Sequence, residues 1–182
     1  MRVISGLKKG LSLKAVPGSS TRPTTDKVKE AIFNIVGPYF DGGSGLDLYA
    51  GTGGLGIEAL SRGMDNVIFV DQNKKAISII KDNLQHCSFS ENAEVYRNDA
   101  NRALKALIKR ERSFDLIFLD PPYAQQQLAN ELSIIVDFHL IRENGMIVCE
   151  SGLGTTMPEH LSTLERVRQE AYGDTLITIY RN

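Results

Sequence analysis

The sequence predicts one α/β domain built on a mostly parallel β-sheet with helices on both faces. From residue 45 onward, short apolar runs typical of buried strands alternate with stretches that carry apolar residues at helical spacing. Such alternation implies right-handed crossovers between parallel strands. The end of the chain departs from this pattern, because two strand-like runs flank Tyr172-Gly173-Asp174 and predict an antiparallel hairpin. A chain of 182 residues is long enough for one such domain.

The first 42 residues predict an N-terminal extension of this domain, which itself spans residues 43–182. Residues 3–6 and 11–16 flank a polar turn that contains a glycine, a pattern typical of a β-hairpin. Thr24 or Thr25 can cap the helix that follows. We do not expect this extension to fold independently.

The alternating part of the chain contains five predicted strands. They cover residues 45–50, 66–71, 93–98, 114–119 and 145–150. Apolar stripes at helical spacing lie between successive strands, and Asn73 is a plausible cap for the helix after the second strand. The two strands of the C-terminal hairpin are predicted at residues 164–171 and 175–180.

The formal net charge of −1 conceals a basic N-terminal segment. Residues 1–29 carry seven lysines and arginines against Asp26 alone, so the rest of the chain is acidic. A concentrated basic segment is typical of a nucleic-acid-binding surface, with Lys8, Lys9 and Lys14 as its candidate contacts. A solvated basic hairpin without a partner explains the charge equally well.

Composition argues against membrane, secreted and metal-binding proteins. No apolar stretch approaches the roughly 20 residues that a membrane helix needs, and the first residues lack the apolar core of a signal peptide. Cys87 and Cys149 lack metal-ligand spacing, and the three histidines are isolated. We expect a cytoplasmic protein with no metal.

A glycine motif follows the first predicted strand of the domain. Gly51, Gly53 and Gly56 match the G-x-G-x-x-G pattern, and Asp71 ends the next strand twenty residues after Gly51. Glycines in this position let the backbone approach a nucleotide, and a carboxylate at Asp71 can bind a ribose diol. The motif fits either a dinucleotide such as NAD or S-adenosylmethionine.

Asp47 favours S-adenosylmethionine. This carboxylate lies four residues before Gly51, where it would repel a pyrophosphate and attract a sulfonium or ammonium group. It could instead cap nearby backbone amides. Asp99 and Ala100, after the third strand, can meet the adenine amino group and ring, and Asp99 can also cap a helix. Tyr49, Ala50 and Thr52, which complete the turn, are further candidate contacts of the methyl donor.

Glu58 lies in the first turns of the helix that the glycine motif opens. Either it reaches the polar end of the donor, or it is a solvated helix residue that the helix dipole favours.

A second motif, Asp120-Pro121-Pro122-Tyr123, follows the strand at residues 114–119. Asp120 and the carbonyl of Pro121 can accept hydrogen bonds from an exocyclic amine, and the prolines hold these acceptors rigidly. Tyr123 can stack on a base. This chemistry needs neither a metal nor a covalent intermediate, but it does need a base that is unpaired or flipped out of a helix.

Residues 22–34, 47–63 and 120–123 together resemble the RsmD-type bacterial small-subunit ribosomal RNA guanine-N2 methyltransferases. The resemblance implies a class I, Rossmann-like methyltransferase sheet of seven strands whose last strand is antiparallel. It also implies an N-terminal hairpin and helix that bind RNA and cover the donor. The family's donor-site residues map onto Asp47, Gly51, Gly53, Asp71 and Asp99.

The resemblance further places Arg22 and Thr24 near the mouth of the active site. It implies transfer of a methyl group from S-adenosylmethionine to guanine N2, with S-adenosylhomocysteine as product. The expected partner is small-subunit ribosomal RNA, free or within an assembling 30S particle, with no membrane and no obligate protein partner. The alternatives are adenine-N6 methylation of DNA, an NAD-dependent oxidoreductase and a non-catalytic RNA-binding module.

Overall fold

A computed structural model describes residues 1–18, 24–122 and 128–182. These residues contain one sheet, whose strands lie in the order β3-β2-β1-β4-β5-β8-β7-β6. The strands are β1 (Ser44–Asp47), β2 (Asn66–Asp71), β3 (Ala93–Arg97), β4 (Phe114–Leu119), β5 (Ile141–Gly152), β6 (His160–Leu161), β7 (Leu164–Tyr172) and β8 (Thr175–Arg181).

The predicted fold class is confirmed. Strands β1 to β5 pair in parallel, and β8 is antiparallel to both β5 and β7. The expected number of seven strands is wrong for the described part of the chain, because the two-residue strand β6 pairs with β7 and makes eight. Strand β1 ends at Asp47, three residues earlier than predicted, because the chain turns there toward the glycine motif.

Five α-helices cover the two faces of the sheet in this part of the chain. They are α1 (Asp26–Val36), α2 (Gly54–Ser61), α3 (Lys74–His86), α4 (Ala100–Lys109) and α5 (Leu128–Asp137). Apolar residues of α1, α2 and α3 pack on one face, and those of α4 and α5 pack on the other. The caps are Thr25, Asn73 and Asp99, whose side chains accept hydrogen bonds from N–H groups of the first turns.

The central strands are buried on both faces, so their residues alternate between two cores. In β2, Val67 and Phe69 face the α1–α3 side, whereas Ile68 and Val70 face the α4–α5 side. This arrangement explains why the strands are continuous apolar runs rather than alternating patterns. The same alternation places Asp47 on the α1–α3 face, because its neighbours Leu46 and Leu48 belong to the other core.

The N-terminal hairpin is smaller than predicted. Its two arms meet in one antiparallel bridge between Arg2 and Ser12, and Val3 donates its N–H to Leu11 at 2.9 Å. Further along, Leu7 donates its N–H to the carbonyl of Ser61 in α2 instead. The hairpin ladder is short because the N–H groups of Ile4, Ser5 and Leu7 bond to residues of α2 instead of to the other arm. Buried Val3 and Leu13 anchor the segment in the core.

Glu58 is fully buried at the junction of the N-terminal segment, α1 and α2. Its carboxylate accepts hydrogen bonds from the N–H groups of Ile4 at 2.9 Å and Ser5 at 3.0 Å. It also pairs with Arg62 at 2.8 Å and Lys29 at 3.6 Å. The prediction of a solvated Glu58 is wrong, because two cations and two amides compensate the cost of burying its charge.

We predict that Glu58→Gln lowers the free energy of unfolding by about 3–5 kcal/mol, because it leaves Lys29 and Arg62 buried without a counter-charge. Urea unfolding measures the loss. Asp82→Asn is the control, since it removes the exposed partner of Lys14 and should cost far less. Equal losses in the two variants would contradict the role of Glu58.

Candidate active site

A cleft of about 1320 Å³ opens at the carboxyl ends of the central strands. This is the edge at which open parallel sheets bind ligands. Most of the predicted site residues line it. They are Thr24, Asp47, Tyr49, Ala50, Gly51, Thr52, Asp71, Asp99, Ala100, Asp120, Pro121 and Pro122. The turn of the glycine motif therefore shares one cavity with Asp120, Pro121 and Pro122 of the second motif.

The glycine turn between β1 and α2 forms one wall of this cleft. Gly51 and Gly53 have φ values of 55° and 80°, which residues with side chains rarely adopt. Gly51 donates its N–H to the Asp71 carboxylate at 2.9 Å, so the turn is tied to the end of β2. Gly53 is not among the lining residues, and its contribution is the turn itself. At Gly56 a Cβ atom would lie 2.3 Å from the ring of Phe69, so this glycine lets α2 approach the sheet.

Asp47 is buried beneath the turn and is only 2% exposed. Its carboxylate accepts a hydrogen bond from the N–H of Gly56 at 3.1 Å, so it does cap a backbone amide. Burial raises the pKa of Asp47 to about 7, although the Gly56 N–H acts in the opposite direction. The one amide that the described residues supply does not compensate a buried carboxylate, so a cation in the cleft would stabilise its charged form.

Asp99 caps α4 by accepting the N–H of Arg102 at 3.0 Å, and Ala100 follows it on the cleft wall. The capping role leaves the predicted contact with adenine possible, because both residues line the cleft. This contact stays a prediction.

A buried pair between Tyr49 and Glu131 was not predicted from the sequence. The Tyr49 hydroxyl donates to Oε1 of Glu131, which lies on α5 and is 1% exposed. Burial raises the pKa of Glu131. Within the described residues, its second oxygen has no hydrogen-bond partner. Glu131 falls three residues after Leu128 on the apolar face of its helix. A charged residue within that apolar stripe was the feature of the sequence that could have indicated a buried, functional carboxyl group.

Asp120 and Glu150 form the other end of the cleft. Leu119 in β4 pairs with Cys149 in β5, so the residues that follow lie side by side on adjacent strands. Glu150 is 7% exposed and accepts a hydrogen bond from the Thr24 hydroxyl at 3.0 Å. Burial raises the pKa of Asp120 well above its ordinary value, and the nearby charges of Glu150 and Asp47 act in the same direction. Burial also raises the pKa of Glu150.

The remaining predicted substrate residues do not line the cleft or lie outside the described residues. Lys14 pairs with Asp82 at 2.9 Å, and the Lys8 ammonium lies 5.7 Å from the centre of the Phe89 ring. These two lysines and Lys9 belong to the N-terminal segment beside α2 and α3. Arg22 and Tyr123 lie outside the described residues. The substrate roles of all five stay predictions.

The described residues contain neither a candidate metal site nor a candidate membrane-spanning helix. Within residues 1–18, 24–122 and 128–182, no group of His, Cys, Asp and Glu side chains is arranged to hold a metal ion. In the same ranges, no helix has the length and apolar character to cross a bilayer.

Glu58 does not line the cleft, because its bonds to the N-terminal segment hold it elsewhere.

Comparisons with known proteins place the chain in a family. A sequence profile of the family described as "Conserved hypothetical protein 95" matches residues 1–181. "Putative rRNA methyltransferase YlbH" of Bacillus subtilis is 58% identical over 100% of this chain and 98% of its own. "Ribosomal RNA small subunit methyltransferase D" of Haemophilus influenzae is 37% identical over 83% of this chain and 78% of its own.

A solved structure agrees with these sequence relatives. "Putative methyltransferase yhhF" from Escherichia coli superposes with a TM-score of 0.84 at 28% identity, over 100% of this chain and 97% of that one. The match covers both the sheet and the N-terminal segment, so it includes every element that lines the cleft. The chain has the class I methyltransferase fold and belongs to the family of ribosomal RNA small subunit methyltransferase D.

Proposed function

We propose that this protein transfers a methyl group from S-adenosylmethionine to the exocyclic N2 amine of a guanine in small-subunit ribosomal RNA. One observation carries the proposal: the glycine turn after β1 and the Asp120–Pro121 corner after β4 are two walls of the same cleft. A donor on the turn can therefore face an amine at the corner without an intervening wall.

The charge of the cleft supports a cationic donor. Among the described residues, seven carboxylates and two lysines line it. A pyrophosphate would be repelled by this surface, whereas the sulfonium and ammonium groups of S-adenosylmethionine would be attracted. Asp47 is closest in sequence to the glycine turn and is the candidate partner of the cationic end. Asp71 and Asp99 are the candidates for the ribose and the adenine.

The acceptor chemistry follows from the position of Asp120. The lone pair of a guanine amine is delocalised into the ring, so the amine must be oriented for its nitrogen to attack the methyl carbon. Asp120 and the Pro121 carbonyl can accept the two N–H groups in that orientation. A nitrogen–carbon bond forms while the sulfur–carbon bond breaks and its electrons return to sulfur. The proton that the nitrogen then loses passes to Asp120 or to water.

The proposed substrate reconciles an acidic cleft with a polyanion. A guanine that is flipped out or unpaired carries no charge, so it can enter while its phosphates stay outside. Lys8, Lys9 and Lys14 lie outside the cleft, where phosphates would remain. The names of the relatives support ribosomal RNA over DNA as the substrate.

We predict that the wild-type protein methylates small-subunit ribosomal RNA with labelled donor and leaves DNA unlabelled. Asp120→Ala should abolish transfer because the amine loses its main acceptor, while donor binding measured by calorimetry is largely kept. Mass-spectrometric mapping of the product identifies the modified base. Labelled N6-methyladenine in DNA, or full activity of Asp120→Ala, would contradict the proposal.

We predict that donor binding tightens as the pH rises toward neutrality. Because the pKa of Asp47 is about 7 in the empty cleft, binding of a cation must release a proton from the protonated fraction. The association constant should therefore fall by up to about tenfold per pH unit below pH 7 and level off above it. Calorimetry over roughly pH 5.5–8 measures this slope.

Asp47→Asn is the matched variant for that measurement. It should bind the donor more weakly and lose the part of the slope that Asp47 contributes. The donor's own amine titrates identically with both proteins, so an equal slope in wild type and variant would contradict the role of Asp47.

We predict that replacing Lys8, Lys9 and Lys14 together with glutamine weakens RNA binding and flattens its salt dependence. Each lysine that contacts a phosphate should contribute roughly 0.7–0.9 to the slope of log affinity against log salt. Lys14 should contribute least, since Asp82 already pairs with it. Exposed Lys105 and Lys109 on α4, on the opposite face of the sheet, are the control pair. An unchanged slope in the triple variant would show that the segment does not bind RNA.

A further inference from the structure

Glu150 is a cleft residue to which neither the sequence motifs nor the mechanism above assign a role. It lies one residue beyond the last pairing of β5 with β4, beside Asp120, and it is more than nine-tenths buried. Both of its sequence neighbours are fully buried, and Cys149 belongs to the α4–α5 core. Alternation along the strand therefore points Glu150 to the α1–α3 face, where Asp47 and Thr24 also lie.

The carboxylate of Glu150 is held in place by two hydroxyl donors from the described residues. The hydroxyls of Thr24 and Thr175 donate hydrogen bonds to it, and both residues line the cleft. A carboxylate offers about four acceptor sites, so two hydroxyls leave room for further donors. Thr24 precedes α1 and Thr175 begins β8, so two separate elements fix the orientation of this side chain.

The Watson–Crick edge of guanine presents a ring N1–H next to the N2 amine. Adenine presents instead an N1 lone pair next to its N6 amine. Two adjacent carboxylates therefore match the guanine edge, since each accepts one neighbouring donor. With Glu150 ionised, the same pair would meet the adenine edge with one carboxylate facing a lone pair. The carboxylate oxygen and the ring nitrogen would then both lack a donor, which is unfavourable.

We infer that Glu150 accepts the N1–H of the guanine whose N2 amine is held at Asp120, and thereby selects guanine over bases with an acceptor at that ring position. This inference rests on the proposed function, because it assigns the base that the proposed acceptor site takes. Burial strengthens the selection, since a site built to bond a particular N–H strongly rejects an analogue that lacks it.

A purely structural role of Glu150 makes a different prediction. As a clasp between Thr24 and Thr175, it would fix α1 against β8 and would affect all substrates alike. A hydrogen bond to the base affects only substrates that carry the N1 hydrogen. The ratio of kcat/KM for two substrates that differ only in that hydrogen therefore separates the two roles.

The test uses an RNA that carries the mapped guanine and the same RNA with 2-aminopurine in its place, presented in whichever form the wild type methylates. 2-Aminopurine keeps the N2 amine, but its N1 accepts a hydrogen bond instead of donating one. Glu150→Gln keeps an oxygen for the two threonine hydroxyls and adds an N–H that can donate to such a nitrogen. We expect this variant to lower the ratio of kcat/KM for guanine over 2-aminopurine by roughly tenfold or more.

Glu131→Gln is the matched control, because Glu131 is also a buried carboxylate that lines the cleft but lies beside Tyr49. It should leave the ratio unchanged. If Glu150→Gln does not bind the donor, Glu150→Asp replaces it; retracting the carboxylate by one methylene should also lower the ratio.

The two hypotheses fail in different ways. A wild type that methylates no guanine RNA would contradict the proposed function. An active wild type with the same ratio in Glu150→Gln, or in Glu150→Asp where that variant is used, would overturn the inference about Glu150 and leave the proposed function standing.

Discussion

The arrangement of the cleft depends on the hydrogen bonds and ion pairs that the buried carboxylate of Glu58 makes. This carboxylate joins α2, which the glycine turn opens, to Lys29 of α1 and to the backbone of the N-terminal segment. With α1 fixed in this way, Thr24 at its start reaches Glu150 on the far side of the cleft. The same attachment keeps Met1 against Thr52 of the glycine turn. One buried ion cluster thus positions both walls of the site.

The cleft concentrates buried carboxyl groups, although the proposed substrate is a polyanion. Asp47 in β1, Asp120 directly after β4 and Glu150 in β5 line the cleft together, and β1, β4 and β5 are neighbouring strands. Burial raises the pKa of all three. These carboxylates therefore favour occupants that are cationic or rich in hydrogen-bond donors, a description that fits a sulfonium donor and a guanine edge. In the proposed complex, the phosphates stay outside the cleft.

The fold was largely predictable because its signals are local. The five apolar runs form the five parallel strands. Thr25, Asn73 and Asp99 cap α1, α3 and α4. Each signal depends on residues within one helical turn or one strand. The N-terminal hairpin was overestimated because the N–H groups of Ile4 and Leu7 bond to residues of α2 more than fifty positions away.

The sequence by itself determined the alternation of strands and helices, the glycine turn and the two motifs at the strand ends. It could do so because chain spacing, proline and glycine act on their immediate neighbours. Only the tertiary structure decided which charges were buried together. Glu58 with Lys29, Tyr49 with Glu131, and Thr24 with Glu150 are each pairs from distant parts of the chain. Burial and pairing depend on which elements pack together, and no local pattern encodes that.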